Sequence, residues 1–319
     1  MSAESMRLVS LASAYLAQRR ALGFGLHIAG RRLLAFARYA DEHFPESGLT
    51  IAVAVAWARA ANRPDPMTWA RRLEIVRPFA RYVRQFDPAT EVPPAGLLGR
   101  AHRRLAPHVY TEKEIIALIR EARRLSPARG LRPDTIATLI GLLAATGLRV
   151  SEALHLQRDD VEIDAALLQI RTTKFCKSRL VPLHATTVSA LRQYAVRRDQ
   201  ACSSTTGSFF LVDGAIPLSY SKFRTAFRRL RIRLGWESRT NPTVRPSAHD
   251  LRHTFACRRL LQWHRDGVDV DAHLIDLSTY LGHAKVTDTY WYLSGFPELM
   301  DLVGQRFDKF VCAKTERRR

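Results

Sequence analysis

One interruption in the helical periodicity constrains the fold more than any other feature of this sequence. Residues 87–110 contain four of the fifteen prolines and show no regular apolar spacing, as is typical of a linker. On both sides of it, apolar residues recur at the three- and four-residue spacing of amphipathic helices. The sequence therefore predicts a helical domain at 1–88, a linker at 89–110 and a second domain at 111–319.

The first domain is predicted to contain only helices. One helix includes Leu8 and Leu16, and Gly23 ends it. Thr50 is a suitable N-cap for a short third helix, and Pro66 suits the first turn of a fourth. We expect helices in the first domain over 27–43, 51–60 and 67–86 as well.

The second domain is predicted to be of mixed α+β type, mainly helical with a small antiparallel sheet. Thr111 and Glu114 form a capping-box pattern at the start of a helix. Residues 167–171 and 179–182 are predicted to be the strands of a hairpin. Residues 208–212 are predicted to form a further short strand. The remaining predicted helices cover 134–145, 150–156, 184–198, 220–234, 249–264, 271–281, 288–293 and 296–311.

Basic residues exceed acidic ones by a wide margin. Lys and Arg number 50, of which 43 are Arg, against 30 Asp and Glu, so the formal net charge is +20. This excess indicates a polyanionic partner, most simply nucleic acid, and the planar guanidinium group suits phosphate. No uncharged stretch approaches the ~20 residues of a membrane span, and the N-terminus has no apolar signal segment. With four widely spaced cysteines and no disulfide pattern, we expect a cytoplasmic protein with no membrane partner.

Four segments contain residues suited to phosphate chemistry. They are ATGLRVSEAL at 145–154, TKFCKSRLVPL at 173–183, HDLRHTF at 249–255 and LGHAKVTDTYWYL at 281–293. Their order resembles the motifs of the tyrosine recombinases, the phage-integrase family of site-specific DNA recombinases: TGxRxxE, GKGxKxRxxPL, HxLRH, and LGH followed nine residues later by tyrosine. The resemblance covers the second domain, and the first domain is similar in size and type to the family's α-helical, SAM-like core-binding domain.

The resemblance implies a set of six catalytic residues, namely Arg149, Lys174, His249, Arg252, His283 and Tyr292. The two arginines would bind the scissile phosphate, and the two histidines would lie beside it. Such donors can stabilise the extra negative charge of a five-coordinate phosphorus without a metal or cofactor. Glu152, one helical turn after Arg149, would orient that arginine.

The nucleophile implied by the resemblance is Tyr292, and the leaving 5′ oxygen would take a proton from Lys174. Lys177 is the rival lysine in the same loop, and Tyr290 is the rival tyrosine. His249 would accept the tyrosine proton, and His283 would donate a hydrogen bond to the phosphate. The phosphotyrosyl link conserves the energy of the phosphodiester, so rejoining needs no ATP.

The resemblance also implies partners and a role. The partners would be double-stranded DNA with inverted half-sites and further copies of the chain or related recombinases, in a tetramer on synapsed DNA. An apolar face along 296–311 is expected to pack on a neighbouring protomer. The RALGF sequence at 20–24 and PELM at 297–300 favour integration or excision of a mobile element.

Other functions remain open at this point. They are chromosome- or plasmid-dimer resolution, DNA relaxation by a type IB topoisomerase, and non-catalytic regulation on DNA. The four-residue spacing of His249 and His253 is also compatible with a zinc hydrolase, but Arg252 lies between them and no clear third ligand follows.

Overall fold

The computed structural model describes residues 7–62, 65–102, 107–127, 130–171, 178–201, 207–236, 245–283 and 285–290. The contacts among Cα atoms divide the chain into two compact units, Met1–Arg104 and Leu105–Arg319. The division falls within residues 89–110.

The described residues of the first unit form four helices: α1 (Leu8–Ala21), α2 (His27–His43), α3 (Ile51–Arg59) and α4 (Pro66–Val83). Local signals determine two of the helix starts. Thr50 Oγ1 accepts the N–H of Val53 at 3.2 Å, and the Asp65 carboxylate caps α4, which begins with Pro66. The core includes the fully buried rings of Phe36 and Phe79.

The chain that follows α4 stays attached to the first unit. The Glu91 carboxylate accepts the N–H of Ile51 at 2.7 Å. Arg71 Nε donates to the carbonyl oxygen of Ala101 at 2.8 Å. Residues 91–101 therefore contact the helices of this unit at both ends of the segment.

The second unit is mainly helical and includes small antiparallel sheets, as the sequence predicts. Its helices are α5 (Glu112–Arg123), α6 (Leu131–Thr146), α7 (Val150–Leu154), α8 (Ala185–Ala201), α9 (Tyr220–Arg233), α10 (Ala248–Arg265), α11 (Val270–Leu281) and α12 (Thr287–Tyr290), with a short 3₁₀ helix at Arg158–Asp160. Its strands are β1 (Val161–Glu162), β2 (Leu167–Ile170), β3 (Arg179–Pro182), β4 (Leu211–Val212) and β5 (Ile216–Pro217). The three-stranded sheet has the order β1-β2-β3, and β4 pairs with β5.

Helix α6 lies at the centre of the second unit and contacts α5, α8 and α10. Its residues Ile136, Leu139 and Ile140 are fully buried, because apolar side chains face neighbours on all sides. The sheet is attached to the same core through Leu168 of β2, which is opposite Val181 of β3. This core fixes the end of α6 and the start of α10, and α11 packs on α10 through a second cluster that includes Leu260 and Leu277. The candidate site lies at these helix ends.

Candidate active site

Two helix ends, each closed by a glycine, form the frame of the site. α6 ends at Gly147 (φ +63°) and α11 ends at Gly282 (φ +66°), in the left-handed region that favours glycine. An added Cβ would lie 2.6 Å from the Phe255 ring at the first turn and 2.7 Å from Nη1 of Arg179 at the second. Both turns are therefore fixed by backbone conformation and by close packing.

Arg149 lies directly before α7 and is oriented from behind. Its backbone N–H donates to Oε2 of Glu152 at 3.0 Å, and its Nη1 donates to Oε1 at 2.7 Å. Its Nη2 donates to the carbonyl oxygen of Gly282 at 2.9 Å. The side chain is still 28% exposed, so the guanidinium is held in one orientation while part of it faces solvent.

Glu152 binds two arginines at once. Its side chain is 6% exposed and also accepts hydrogen bonds from Nη1 and Nη2 of Arg179, at 3.3 and 2.8 Å. Burial alone would raise the pKa of Glu152, but the hydrogen bonds and charge of Arg179 and the hydrogen bonds of Arg149 outweigh it and lower the pKa. The carboxylate is therefore ionised and joins the first residue of β3 to the start of α7.

Arg252 is buried to 2% exposure in α10. Its Nη1 donates to the carbonyl oxygen of Gly147 at 2.9 Å, and its Nη2 donates to that of Leu281 at 2.6 Å. The guanidinium thus connects the two helix ends of the frame. Since Arg149 binds the next carbonyl along, that of Gly282, both predicted phosphate-binding arginines are fixed by the same turn.

His249 and His253 lie one turn apart near the start of α10, with ring centroids 4.8 Å apart in an edge-to-face arrangement. Burial and the charges of Arg252 and Arg149 lower the pKa of His249, against the opposing effect of Asp250. Burial, His249 and Arg252 lower the pKa of His253 to about 4. Both rings are therefore neutral near pH 7, and a neutral imidazole can accept a proton.

His283 follows Gly282 directly and is fixed by two contacts. Its backbone N–H donates to the carbonyl oxygen of Ser278 at 3.0 Å, and its Nδ1 lies 2.7 Å from Oγ1 of Thr289 in α12. Burial and the charges of Arg252 and Arg149 lower its pKa to about 4. This histidine is also neutral near pH 7.

A cavity of about 680 Å³ opens beside these residues. Its wall includes Arg149 and His249, together with three arginines of α9, namely Arg224, Arg228 and Arg231. Among its described lining residues there is no Asp or Glu. A concave surface with this charge favours an anionic ligand.

Five of the residues named by the sequence motifs therefore gather around the two helix ends: Arg149, Glu152, His249, Arg252 and His283. The lysine and tyrosine of the predicted set, Lys174 and Tyr292, lie outside the described residues. So do the rival Lys177 and the predicted terminal helix at 296–311. The rival Tyr290, at the end of α12, is 51% exposed.

Two residues that hold this arrangement, Arg179 and Thr289, had no role predicted from the sequence. Arg179 matches the arginine of the GKGxKxRxxPL pattern, so its position was visible in the sequence. Its partner was not, because Glu152 lies 27 residues away. Thr289 carries no signal in the sequence beyond its place in the segment that ends in the tyrosine.

In the described ranges, no group of three or more His, Cys, Asp or Glu side chains is placed to hold a metal ion. Each helix in the described part of the chain is too short or too polar to cross a lipid bilayer.

Comparison with known proteins identifies the family. The model of the phage integrase family matches residues 109–298. A Sinorhizobium fredii protein named as an integrase/recombinase, y4rB, is 40% identical over 92% of this chain and 95% of its own length. The tyrosine recombinase XerD of Bradyrhizobium diazoefficiens is 29% identical over 70% of each chain.

Solved structures agree in fold. The Tn1549 transposon integrase in complex with a circular intermediate DNA has a TM-score of 0.63 at 16% identity, covering 90% of this chain and 95% of that one. XerH bound to a palindromic difH substrate has a TM-score of 0.63 at 18% identity, covering 88% and 79%. The motifs, the match to the family model and the 40% identical relative together show that this chain belongs to the phage integrase family and is a tyrosine site-specific recombinase.

Proposed function

We propose that the chain cleaves and rejoins double-stranded DNA through a 3′-phosphotyrosyl intermediate on Tyr292, in the integration or excision of a mobile element. The observation that carries this proposal is the convergence of Arg149, Arg252 and His283 on the single turn at 281–283, beside a basic cavity. A phosphodiester is the substrate that such a set of donors suits best.

The proposed chemistry is a balanced exchange of phosphoester bonds. Oη of Tyr292 attacks the phosphorus and the bond to O5′ breaks. The phosphate keeps its bond to O3′ of the DNA and is now also bonded to the tyrosine. His249 takes the phenolic proton, and Lys174 gives a proton to O5′. In rejoining, the 5′ hydroxyl attacks the phosphotyrosine and gives its proton back to Lys174, while His249 returns the phenolic proton to Oη of Tyr292.

The arginines and His283 stabilise the charge that develops at phosphorus. The lowered pKa of His249 keeps its ring neutral and able to accept the proton. Loss of one preorganised donor to a developing oxyanion costs about 10²–10³ in rate. The contacts that hold Arg149 and Arg252 in one orientation therefore support their role as preorganised donors.

The first unit is proposed to bind the DNA backbone. The Arg72 guanidinium lies 3.9 Å from the centre of the Trp57 ring. Burial and the nearby charge of Arg32 lower the pKa of Arg72, and in the described part of the chain neither arginine forms an ion pair. Two neighbouring cations without a carboxylate suit a phosphate.

The active assembly is proposed to be a tetramer on two synapsed duplexes, each with inverted half-sites. Two structures with the same fold support DNA as the partner, since XerH is bound to a palindromic substrate and lambda integrase is a dimer bound to a core site. The transposon integrase of Tn1549 supports the mobile-element role. Mass measurement of the full chain with and without its DNA site tests the assembly, and a single protomer on cleaved DNA would contradict it.

Capture of covalent adducts tests the chemistry. The wild type, Tyr292→Phe and Tyr290→Phe are expressed in cells that carry the source organism's DNA, the lysates are denatured, and the DNA attached to the protein is sequenced. We expect discrete adducts with the wild type and Tyr290→Phe, and none with Tyr292→Phe. Adducts that persist in Tyr292→Phe would show that another residue is the nucleophile.

The position of the adducts tests the role. Adducts at the ends of a mobile element support integration or excision. Adducts confined to one chromosomal site near the terminus of replication would contradict this role and indicate dimer resolution.

A further inference from the structure

Thr289 is a fully buried residue whose hydroxyl contacts the site. Its Oγ1 lies 2.7 Å from Nδ1 of His283, and its side chain has 0% exposure. Its backbone N–H already donates to the carbonyl oxygen of Val286 at 2.8 Å. In the part of the chain that the structure describes, His283 is the only hydrogen-bond partner of the hydroxyl.

The number of protons at this contact selects one form of the imidazole. A neutral imidazole carries one N–H, on Nδ1 or on Nε2. If Nδ1 held the proton and donated it to Oγ1, the buried hydroxyl proton of Thr289 would have no acceptor among the described residues. If Oγ1 donates to Nδ1, every donor at the contact is satisfied and the ring proton is on Nε2. The cost of a buried unsatisfied donor favours the second form by roughly 10- to 100-fold.

We propose that Thr289 is a positioning residue that fixes His283 as the Nε2–H tautomer. This inference rests on the proposed function, in which His283 faces the scissile phosphate as a neutral hydrogen-bond donor. With the proton on Nδ1, Nε2 would present a lone pair to an anion and repel it. Thr289 therefore decides whether His283 donates a hydrogen bond or repels the substrate.

The same contact connects His283 with the segment that contains the proposed nucleophile, Tyr292. Thr289 lies three residues before Tyr292 in the sequence, and it belongs to α12, the last described helix. The correct tautomer of His283 therefore depends on α12 being seated against it. Departure of this helix removes the hydroxyl that selects the donor form.

The test compares Thr289→Val, which keeps the shape and removes the hydroxyl, with Thr289→Ser, which keeps the hydroxyl. The tautomer of His283 is read from the ¹⁵N shifts of the ring in full-length protein labelled at histidine and free of DNA, with His283→Gln for assignment. We expect Nε2–H in the wild type and the serine variant, and a mixture of both tautomers in the valine variant. Nδ1–H in the wild type, or an unchanged tautomer in the valine variant, overturns the proposal.

A second measurement connects the tautomer to the reaction. Single-turnover cleavage is measured on a nicked duplex with the sequence recovered by adduct capture. We expect the valine variant to cleave about 10-fold more slowly, with DNA affinity within about twofold of the wild type and most of the rate restored by serine. If the valine variant does not fold, the tautomer of His283 in the wild type still tests the proposal. If the wild type shows the Nε2–H tautomer but neither it nor any variant forms covalent adducts, the proposed function is refuted and the tautomer assignment stands.

Discussion

Replacement of Glu152 by glutamine tests whether the ion pairs behind Arg149 serve catalysis or only folding. The carboxylate accepts one side-chain hydrogen bond from Arg149 and two from Arg179, and it is 6% exposed. Glutamine keeps the size of the side chain but removes its charge. Its amide N–H₂ group cannot accept the hydrogen bonds that the guanidinium groups donate to the carboxylate. A hydrogen bond to a charged group contributes about 1 kcal/mol more than a neutral one. With two arginine partners, we expect Glu152→Gln to lower the free energy of unfolding by about 2–3 kcal/mol.

The effect on the reaction should exceed the effect on folding. Arg149 would keep its bond to the Gly282 carbonyl but lose the partner that fixes the other side of the guanidinium. Since complete loss of one such donor costs about 10²–10³ in rate, we expect single-turnover cleavage to fall about 10- to 100-fold. The rate is measured on the nicked duplex and corrected for the folded fraction, which is taken from urea unfolding of the same preparation.

Glu121 offers a matched control. It also lies between two arginines, 2.7 Å from Nη1 of Arg124 and 3.8 Å from Nη1 of Arg233, but none of these residues contacts the site. Glu121→Gln should cost less stability, because Arg124 is 73% exposed, and its corrected cleavage rate should equal that of the wild type. Equal corrected rates for Glu152→Gln and the wild type would refute the reasoning.

Three further predictions follow from individual contacts. Gly282→Ala should slow cleavage and lower the free energy of unfolding by about 1–2 kcal/mol, since φ is +66° and the new Cβ would lie 2.7 Å from Arg179; wild-type rates in a folded variant would contradict it. The pKa of His253 is about 4 in the folded chain and 6.5 ordinarily, so only the unfolded chain takes up this proton between those pH values. As the pH is lowered through that window, His253 should therefore reduce the free energy of unfolding by at most about 1.4 kcal/mol per pH unit. His253→Gln should remove this part of the pH dependence, which is measured by urea unfolding. Arg72→Gln should reduce the slope of log affinity against log salt by about 0.9, and an unchanged slope would remove Arg72 from the DNA contacts.

Signals carried by a few adjacent residues predicted the local structure correctly. Thr111 and Glu114 form the capping box at the start of α5 as expected, with the Glu114 N–H 3.2 Å from Oγ1 of Thr111. The hairpin strands were predicted almost to the residue. β1 and β5 were not predicted, because each has two residues and no periodicity can appear over that length. The fourth helix was predicted to Phe86 but ends at Val83, since the apolar pattern continues into the turn that follows.

The candidate site could be predicted only as a set of residues. The motifs identified Arg252, but its environment depends on the carbonyls of Gly147 and Leu281, which lie 105 and 29 residues away. Arginine is seldom fully buried unless its charge is compensated, so composition and periodicity favour a solvent-exposed side chain here. Only the folded chain brings the two helix ends together and places their carbonyl oxygens next to Arg252.

The choice of acceptors explains how the site remains positive. Carboxylates could hold Arg149 and Arg252 equally well, but each would cancel a charge that the phosphate needs. Backbone carbonyls orient a guanidinium without a formal charge, and one carboxylate, Glu152, serves both Arg149 and Arg179. The three arginines and Glu152 therefore carry two net positive charges, while the lowered pKa values of His249 and His283 add none. In the proposed reaction, attack by Oη of Tyr292 adds a second negative charge to the phosphodiester while the phenolic proton passes to His249, so this group of residues stabilises the transition state more strongly than the ground state.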